Sequence, residues 1–553
     1  MALTPVIEEI RDVADSSAIG GDLKDLPPGY YRSLNFIGSI IGVVLMANSL
    51  YLGFVLPSNT LSVINADLGL RPDPNYVLVS TAFTLTAGVG LTLVGRLGDI
   101  FGRRYFLIGG QTLGFIGALI CATAKNIPTV IGGTVLVGLA GAVQLTFTFV
   151  VAELVANKDR AKVDAFLFMS IIPLSSMGPA FGKAPLILAN TSNNMISSTA
   201  SVQYEVELEM ELLLESWGGS AYSWHSAHVI SALVVGFIAL IAFVIYEIYM
   251  PLKQPLVPMS LFKIPNYTAV VVTASVGTMI YFSMNILWPL QIAALYTTNN
   301  IQIGWLSCTT GAAVVVGQVI SGLGFKRIGH VKWQLVGCCV GFTAFLGGMA
   351  AVNATNRGLA IALTILAGLC VGALELITII IAGLVCKPSD IGLASGLLGS
   401  FRQASGSIAA SIYVSILTNR LTTTLPSNVA PAALNAGLPN TSLPALFAAI
   451  GVGTETAMEG VPGITPGIIA AVGDAVKVAY SQAFKTVYLT SIAFGGLSII
   501  AALFITSIDD LMTNFVARKM RGQETKNIDS MDKKERANAV MESETKTEKE
   551  CVK

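Results

Sequence analysis

In a chain this apolar, the residues to notice first are charges inside runs long enough to cross a bilayer. Two lie near the middle of such runs, Glu375 and Arg402. An intramembrane charge is costly and marks either a functional site or a buried pair, so both are expected to face a bundle interior, paired or water-linked. The chemistry on offer is proton binding. Glu375 would be the protonatable coupling group, and Arg402 would tune it or hold an anionic part of a substrate. A static structural pair is the alternative. Gln144, Gln291, Gln318 and Gln403 are candidate hydrogen-bonding groups for a cavity, each equally suited to a contact between helices. His225 and His228 form a His-x-x-His pair with no Cys nearby. An interfacial loop anchored by Trp217 and Trp224 therefore accounts for them better than a metal site. No Walker motif, dinucleotide fingerprint or His-rich cluster occurs, so no cofactor and no ATP-driven chemistry is expected. No nucleophile–base pair or metal set for a membrane-embedded enzyme stands out.

The elements that must position these residues follow from composition. Of 553 residues, 53% are hydrophobic and only 12% are charged, about half the usual share. Residues 1–35 hold 9 of the charges and residues 507–553 hold 20, leaving 37 for the 471 between. This excludes a soluble enzyme, a disordered protein and a nucleic-acid binder, and leaves an all-α polytopic membrane protein. A hydrocarbon core of ~30 Å needs about 20 apolar residues in helix. Such runs occur at 36–57, 74–95, 103–124, 127–152, 163–189, 228–250, 268–292, 301–324, 332–352, 358–386, 390–417 and 484–506, which makes twelve. Most are rich in Gly and Ala, and small residues mark helices that pack on helices rather than lipid. Six of seven Cys lie inside apolar runs, as packing residues rather than disulfide partners.

Lys and Arg concentrate in alternate connections: Arg96, Arg103 and Arg104; Lys158, Arg160 and Lys162; Lys253 and Lys263; Lys326, Arg327 and Lys332. By the positive-inside rule both termini face the cytoplasm. Residues 1–32 are polar with no cleavable leader pattern. On the outer side the expected features are a long loop at 418–483 and sequons at Asn190 and Asn440. The charged tail after 506 is expected to be solvated.

One string carries more information than orientation. Between the second and third runs stands Gly95-Arg-Leu-Gly-Asp99-Ile-Phe-Gly102-Arg103-Arg104, with a degenerate echo at Gly322-Leu-Gly-Phe-Lys326-Arg327-Ile-Gly329. Glycines allow a tight turn, an acid can reach a neighbouring helix terminus, and paired arginines anchor at the interface. An echo is what an internally repeated transporter should show. The string resembles the signature of the major facilitator superfamily, in which this clasp helps hold the outward-facing state. Pro27-Pro-Gly-Tyr-Tyr, Leu52-Gly-Phe-Val-Leu-Pro-Ser-Asn-Thr-Leu, Gln144-Leu-Thr-Phe-Thr-Phe and Ser216-Trp-Gly-Gly-Ser-Ala-Tyr-Ser-Trp are similar to the fungal trichothecene efflux pump family. Its neighbours are siderophore–iron transporters and fourteen-span drug:proton antiporters. Gly178-Pro179-Ala-Phe-Gly182 resembles the antiporter kink of that superfamily. Lys183 stands where glycine is usual, and the fourth run lacks the arginine that many antiporters carry.

The resemblance implies a major facilitator fold of two helical bundles, and a monomer that moves protons and a small organic molecule across the bilayer. Export of a toxic compound at the plasma membrane is the first expectation, with the vacuolar membrane as an alternative site. Proton-coupled import of a ferric siderophore is the second, and a non-transporting or truncated membrane protein the third. The family has fourteen spans, and two are expected to be missing near 190–216, where Glu205, Glu207, Glu209, Glu211 and Glu215 look like no family segment. Either the chain carries a faulty join there, or the run at 228–250 swings in to complete the first bundle. The organisation expected is a tail at 1–35, a first bundle at 36–189, an acidic outer segment at 190–225 and a linking span and inner loop at 226–265. A second bundle at 266–506 and a charged tail at 507–553 complete it.

Overall fold

The computed structural model describes residues 30–58, 78–101, 103–176, 257–297, 299–387, 390–452, 458 and 460–512, with six helical positions between 234 and 249. The expected class is observed, with helices throughout and no strand among the described residues. The first group of helices is α1 (Leu34–Ser58), α2 (Leu78–Phe101), α3 (Arg103–Ala122), α4 (Ile127–Gln144), α5 (Phe147–Leu154) and α6 (Arg160–Ser176). The second is α7 (Pro265–Leu295), α8 (Asn300–Ile328), α9 (Val331–Met349), α10 (Arg357–Val385), α11 (Ile391–Asn435), α12 (Leu443–Val452) and α13 (Pro466–Phe504). Seven described stretches are long and apolar enough to cross a bilayer unaided, among them Ile127–Leu154, which joins α4 and α5.

Local chemistry sets several of these boundaries. Asn126 caps α4 by accepting from the Thr129 amide at 3.0 Å, with Pro128 in the first turn. Thr465 caps α13 in the same way, with Pro466 opening the helix. Between α8 and α9 the chain turns through Gly329 (φ 61) and His330 (φ 51), a left-handed pair whose first member is the glycine of the echo motif.

Each group packs on itself, α2 and α3 against α4 in the first, and α8 with α10, α7 with α11 and α9 with α13 in the second. The groups meet along two seams, α2 on α11 and α6 on α8. The second helix of each bundle thus meets the fifth span of the other, the exchange expected of a repeated transporter fold. Near the basic connections both seams have almost no room. A Cβ on Gly95 would lie 2.7 Å from the Gly392 carbonyl, and one on Gly396 would lie 2.7 Å from that of Leu91. A Cβ on Gly322 would overlap the Ala161 carbonyl. These contacts close the bundle at the end bearing the basic connections, called the basic end below.

Just before α1, Tyr30 donates to the Leu154 carbonyl at 2.7 Å, and Tyr31 to Asp159 Oδ2 at 3.3 Å. Tyr30 and Tyr31 therefore fasten the segment before α1 to the α5–α6 connection. Burial, and then the Asp159 carboxylate, push the Tyr31 phenol up to about 12, so it remains a donor at any physiological pH.

One expectation needs redrawing. Residues 418–483, read as a long loop, are mostly helix. α11 continues to Asn435 through Pro426 and Pro431, α12 follows, and α13 begins at Pro466. The Thr-, Ser- and Asn-rich sequence looks like a loop, yet its side chains bond back to the preceding turn. Thr422 donates to the Asn419 carbonyl, Thr423 and Thr424 to that of Arg420, and Asn428 to that of Thr424. Such bonds turn the polar side chains back onto the helix's own carbonyls rather than out into a loop. A small separate core of Val429, Ala433, Leu438, Leu446, Ala449, Val461, Ile468 and Val472 holds this crown together.

The acidic segment at 190–216 lies outside the described residues. Of the run at 228–250, Val234, Ile238, Ile241, Ile245, Tyr246 and Tyr249 are helical and expose their side chains.

The seam geometry makes a prediction. Gly95→Val should lower stability by about 1–3 kcal/mol, the usual cost of overpacking, seen as a lower unfolding midpoint in detergent. Gly42→Val, where nothing lies within 4 Å, should leave the midpoint nearly unchanged.

Candidate functional site

Between the two bundles lies a cavity of about 260 Å³. Its first wall comes from α1, α2, α5 and α6 and is aromatic and aliphatic, with Phe83, Phe147, Phe149 and Phe168. This wall depends on a break in the fourth span. α4 stops at Gln144, Thr146 turns its hydroxyl back onto the Val143 carbonyl at 2.6 Å, and α5 restarts at Phe147. The break lets Leu145, Phe147, Thr148 and Phe149 all reach the cavity, so the Gln-Leu-Thr-Phe-Thr-Phe string is largely cavity lining. Irregular backbone at membrane depth is tolerated where it lines a cavity.

The second wall, from α7, α8, α10 and α11, carries the charges. Arg402 on α11 pairs through Nη2 with Glu375 Oε1 on α10. Its Nε donates to Thr278 Oγ1 on α7 at 2.9 Å. Gln318 on α8 donates through Nε2 to Glu375 Oε2 at 3.1 Å. The two residues that sequence singled out are thus direct partners, and both face the cavity, as do Gln318 and Gln403. Gln318 Oε1 is buried with no hydrogen-bond partner among the described residues. Tyr281 on α7 lines the cavity close enough to feel both charges.

The structure places the other candidates elsewhere. Gln144 does not line the cavity; its Nε2 donates to Gln111 Oε1 at 3.2 Å, a bond between α4 and α3. Gln291 accepts from the Tyr488 hydroxyl at 2.6 Å, a bond between α7 and α13. Gly95 serves the α2–α11 seam. The side chains of Asp99, Arg103 and Arg104 lie outside the described residues, as do Gly102, Gly178, Pro179 and Gly182.

Sequence reasoning missed a second polar group, at the basic end. Arg160 is buried to 2% exposure and donates to the Gly383 carbonyl at 3.3 Å and the Val155 carbonyl at 3.4 Å. The carboxylates of Glu153 and Asp164, also buried, flank it. Gly383 lies in the last turn of α10, where carbonyls lack helical partners, so an arginine of the first bundle caps a helix of the second. Arg160 was counted only as a marker of orientation. Acids seven residues before it and four after were the available signal.

Two bundles around a central cavity, with an ion pair held at membrane depth and the basic end closed, define a multi-pass membrane transporter. Comparison with known proteins gives the particular family. A profile described as "Fungal trichothecene efflux pump (TRI12)" matches residues 8–197 and 199–550. The chain belongs to that family, within the major facilitator superfamily. It is similar to the trichothecene efflux pump TRI12 of Fusarium sporotrichioides, at 26% identity over 94% of both chains. The protein of the same name from Trichoderma arundinaceum gives the same figures. The MFS-type transporter prx5 of Penicillium rubens is 29% identical over 82% of this chain and 91% of its own. Among solved structures, a bacterial homologue of the human lysosomal transporter Spinster covers 90% of this chain at 12% identity and a TM-score of 0.44.

Arg402→Ala would leave Glu375 buried and uncompensated, which typically costs 3–5 kcal/mol. The unfolding midpoint should fall sharply, and adding Glu375→Gln, which removes the stranded charge, should restore most of it.

Proposed function

We propose that this transporter exports small, largely apolar organic molecules in exchange for protons, with Glu375 as the proton-carrying group. The observation that supports this most directly is the two-faced cavity: an aromatic wall from one bundle, and Glu375, Arg402 and Gln318 on the other. The aromatic wall suits the carbon skeleton of a secondary metabolite. Two relatives are named for trichothecene efflux, and a toxic metabolite of that kind is the substrate class favoured here.

In this scheme the positive-inside rule puts the basic end and both termini in the cytoplasm. Rocking of the bundles parts the Gly95–Gly396 seam and the Arg160–Gly383 contact, and the substrate enters from the cytoplasm. After closure, a proton from outside neutralises Glu375 and releases Arg402, which reshapes the polar wall as the substrate leaves. Substrate loading on the inner side then displaces the proton. One chain contains the whole cavity, so the working unit is a monomer, and the plasma membrane is where such export protects the cell.

The test is accumulation of a labelled toxic metabolite in cells with and without the transporter. Loss of the transporter should raise cell content, and a protonophore should abolish the difference. A fall in content on loss would make the chain an importer. No change with any of a panel of compounds, despite correct membrane insertion, would mean that it does not transport.

A further inference from the structure

The crown described above has no part in the cavity, and its chemistry is unusual for a body standing in water. α11 is 45 residues long, or about 68 Å at 1.5 Å per residue. A hydrocarbon core takes only ~30 Å of that. Beginning at the basic end with Ile391, α11 passes the opposite membrane face with roughly half its length to spare. α13, at 39 residues, overshoots likewise. Asn428 Nδ2 donates to Gln482 Oε1 at 3.2 Å and ties the two helices together. From 421 to 473 the chain has no Lys or Arg, and its only acids are Glu455 and Glu459. A projecting element this poor in charge lacks the ionic hydration that keeps exposed surfaces apart.

The sequence contains four Asn-x-Ser/Thr triplets, at Asn190, Asn266, Asn353 and Asn440. Their surroundings separate those in the described part. Asn266 is buried at the basic end and donates to Thr506 Oγ1 at 2.7 Å. Asn353 sits in the short turn between α9 and α10. Its Oδ1 is held by the Thr355 hydroxyl at 2.7 Å and the Thr355 amide at 3.2 Å, and its carbonyl accepts from Tyr296. Asn440 differs from both. It opens a one-turn helix, Asn440–Ser442, in the crown between α11 and α12, in which Asn440 and Thr441 are exposed and Ser442 is buried.

We propose that Asn440 carries an N-linked glycan that hydrates the charge-poor crown. In the transfer, Asn440 Nδ2 bonds to the anomeric carbon of a lipid-diphosphate-linked oligosaccharide. The bond from that carbon to the diphosphate breaks, and the amide gives up a proton to balance the departing lipid diphosphate. The assignment rests on the orientation given under Proposed function, since only a crown on the lumenal side meets the transferase.

The experiment uses the full chain expressed in yeast, with membranes treated with peptide N-glycosidase. The wild type should show a one-step mobility increase, lost in Asn440→Gln and retained in Asn353→Gln and Asn190→Gln. No shift in the wild type, or a shift that survives Asn440→Gln, overturns the proposal. Asn435→Cys, probed with a membrane-impermeant maleimide, tells the two failures apart. Labelling in intact cells without a glycan defeats the glycan and leaves the orientation standing. Labelling only after permeabilisation defeats the orientation, and the glycan with it.

Discussion

A carboxylate and a guanidinium at membrane depth persist only as each other's partner, and the cavity wall is arranged around that constraint. Four helices of the second bundle each give one side chain to the cluster: Thr278 from α7, Gln318 from α8, Glu375 from α10 and Arg402 from α11. Removing either charge alone strands the other in the cavity wall without its partner. The pair therefore fixes the relative positions of the helices and presents a titratable group to the cavity. In the proposed exchange, neutralising Glu375 would free a guanidinium whose other anchor, Thr278, is neutral.

Closure of the basic end depends on a different kind of interaction. Along α2–α11 and α6–α8 the backbones meet at glycines, and on α2–α11 the Ser400 hydroxyl also donates to the Gly88 carbonyl at 2.9 Å. At the basic end Arg160 reaches from one bundle to the Gly383 carbonyl of α10 in the other. Its connection is fastened from outside by Tyr30 and Tyr31, and Asn157 donates to the Leu511 carbonyl beyond α13 at 3.3 Å. The α5–α6 connection thus touches the segment before α1, the second bundle and the segment after its last helix. Of these, the contacts to Gly383 and Leu511 cross to the second bundle, and parting the bundles would break them.

Much of this was legible in the sequence because the bilayer simplifies the problem. Apolar runs placed most described helices near their observed limits, although α11 and α13 each extend 18 residues beyond the runs at 390–417 and 484–506, and the cost of an intramembrane charge picked out Glu375 and Arg402 without any knowledge of their contact. What sequence could not supply was direction. Gln144 and Gln318 look alike as polar residues in apolar runs, but one pairs across α3 and the other faces the cavity, and helical phase relative to neighbours decides which. Arg160 looked like a solvated positive-inside charge because composition does not show that its connection is clamped beneath α10. The crown was misread as a loop since Thr, Ser and Pro are loop formers until side-chain bonds to the preceding turn and a small apolar core hold them in helix.

The central claim is that Glu375 carries the proton that drives exchange. The direct measurement is proton movement with a pH-sensitive dye in liposomes containing the purified protein, with an outward substrate gradient imposed. The wild type should move protons opposite to substrate, and Glu375→Gln should let substrate equilibrate with no accompanying proton flux. Proton flux in Glu375→Gln that still follows the substrate gradient would contradict the account and place the coupling group elsewhere.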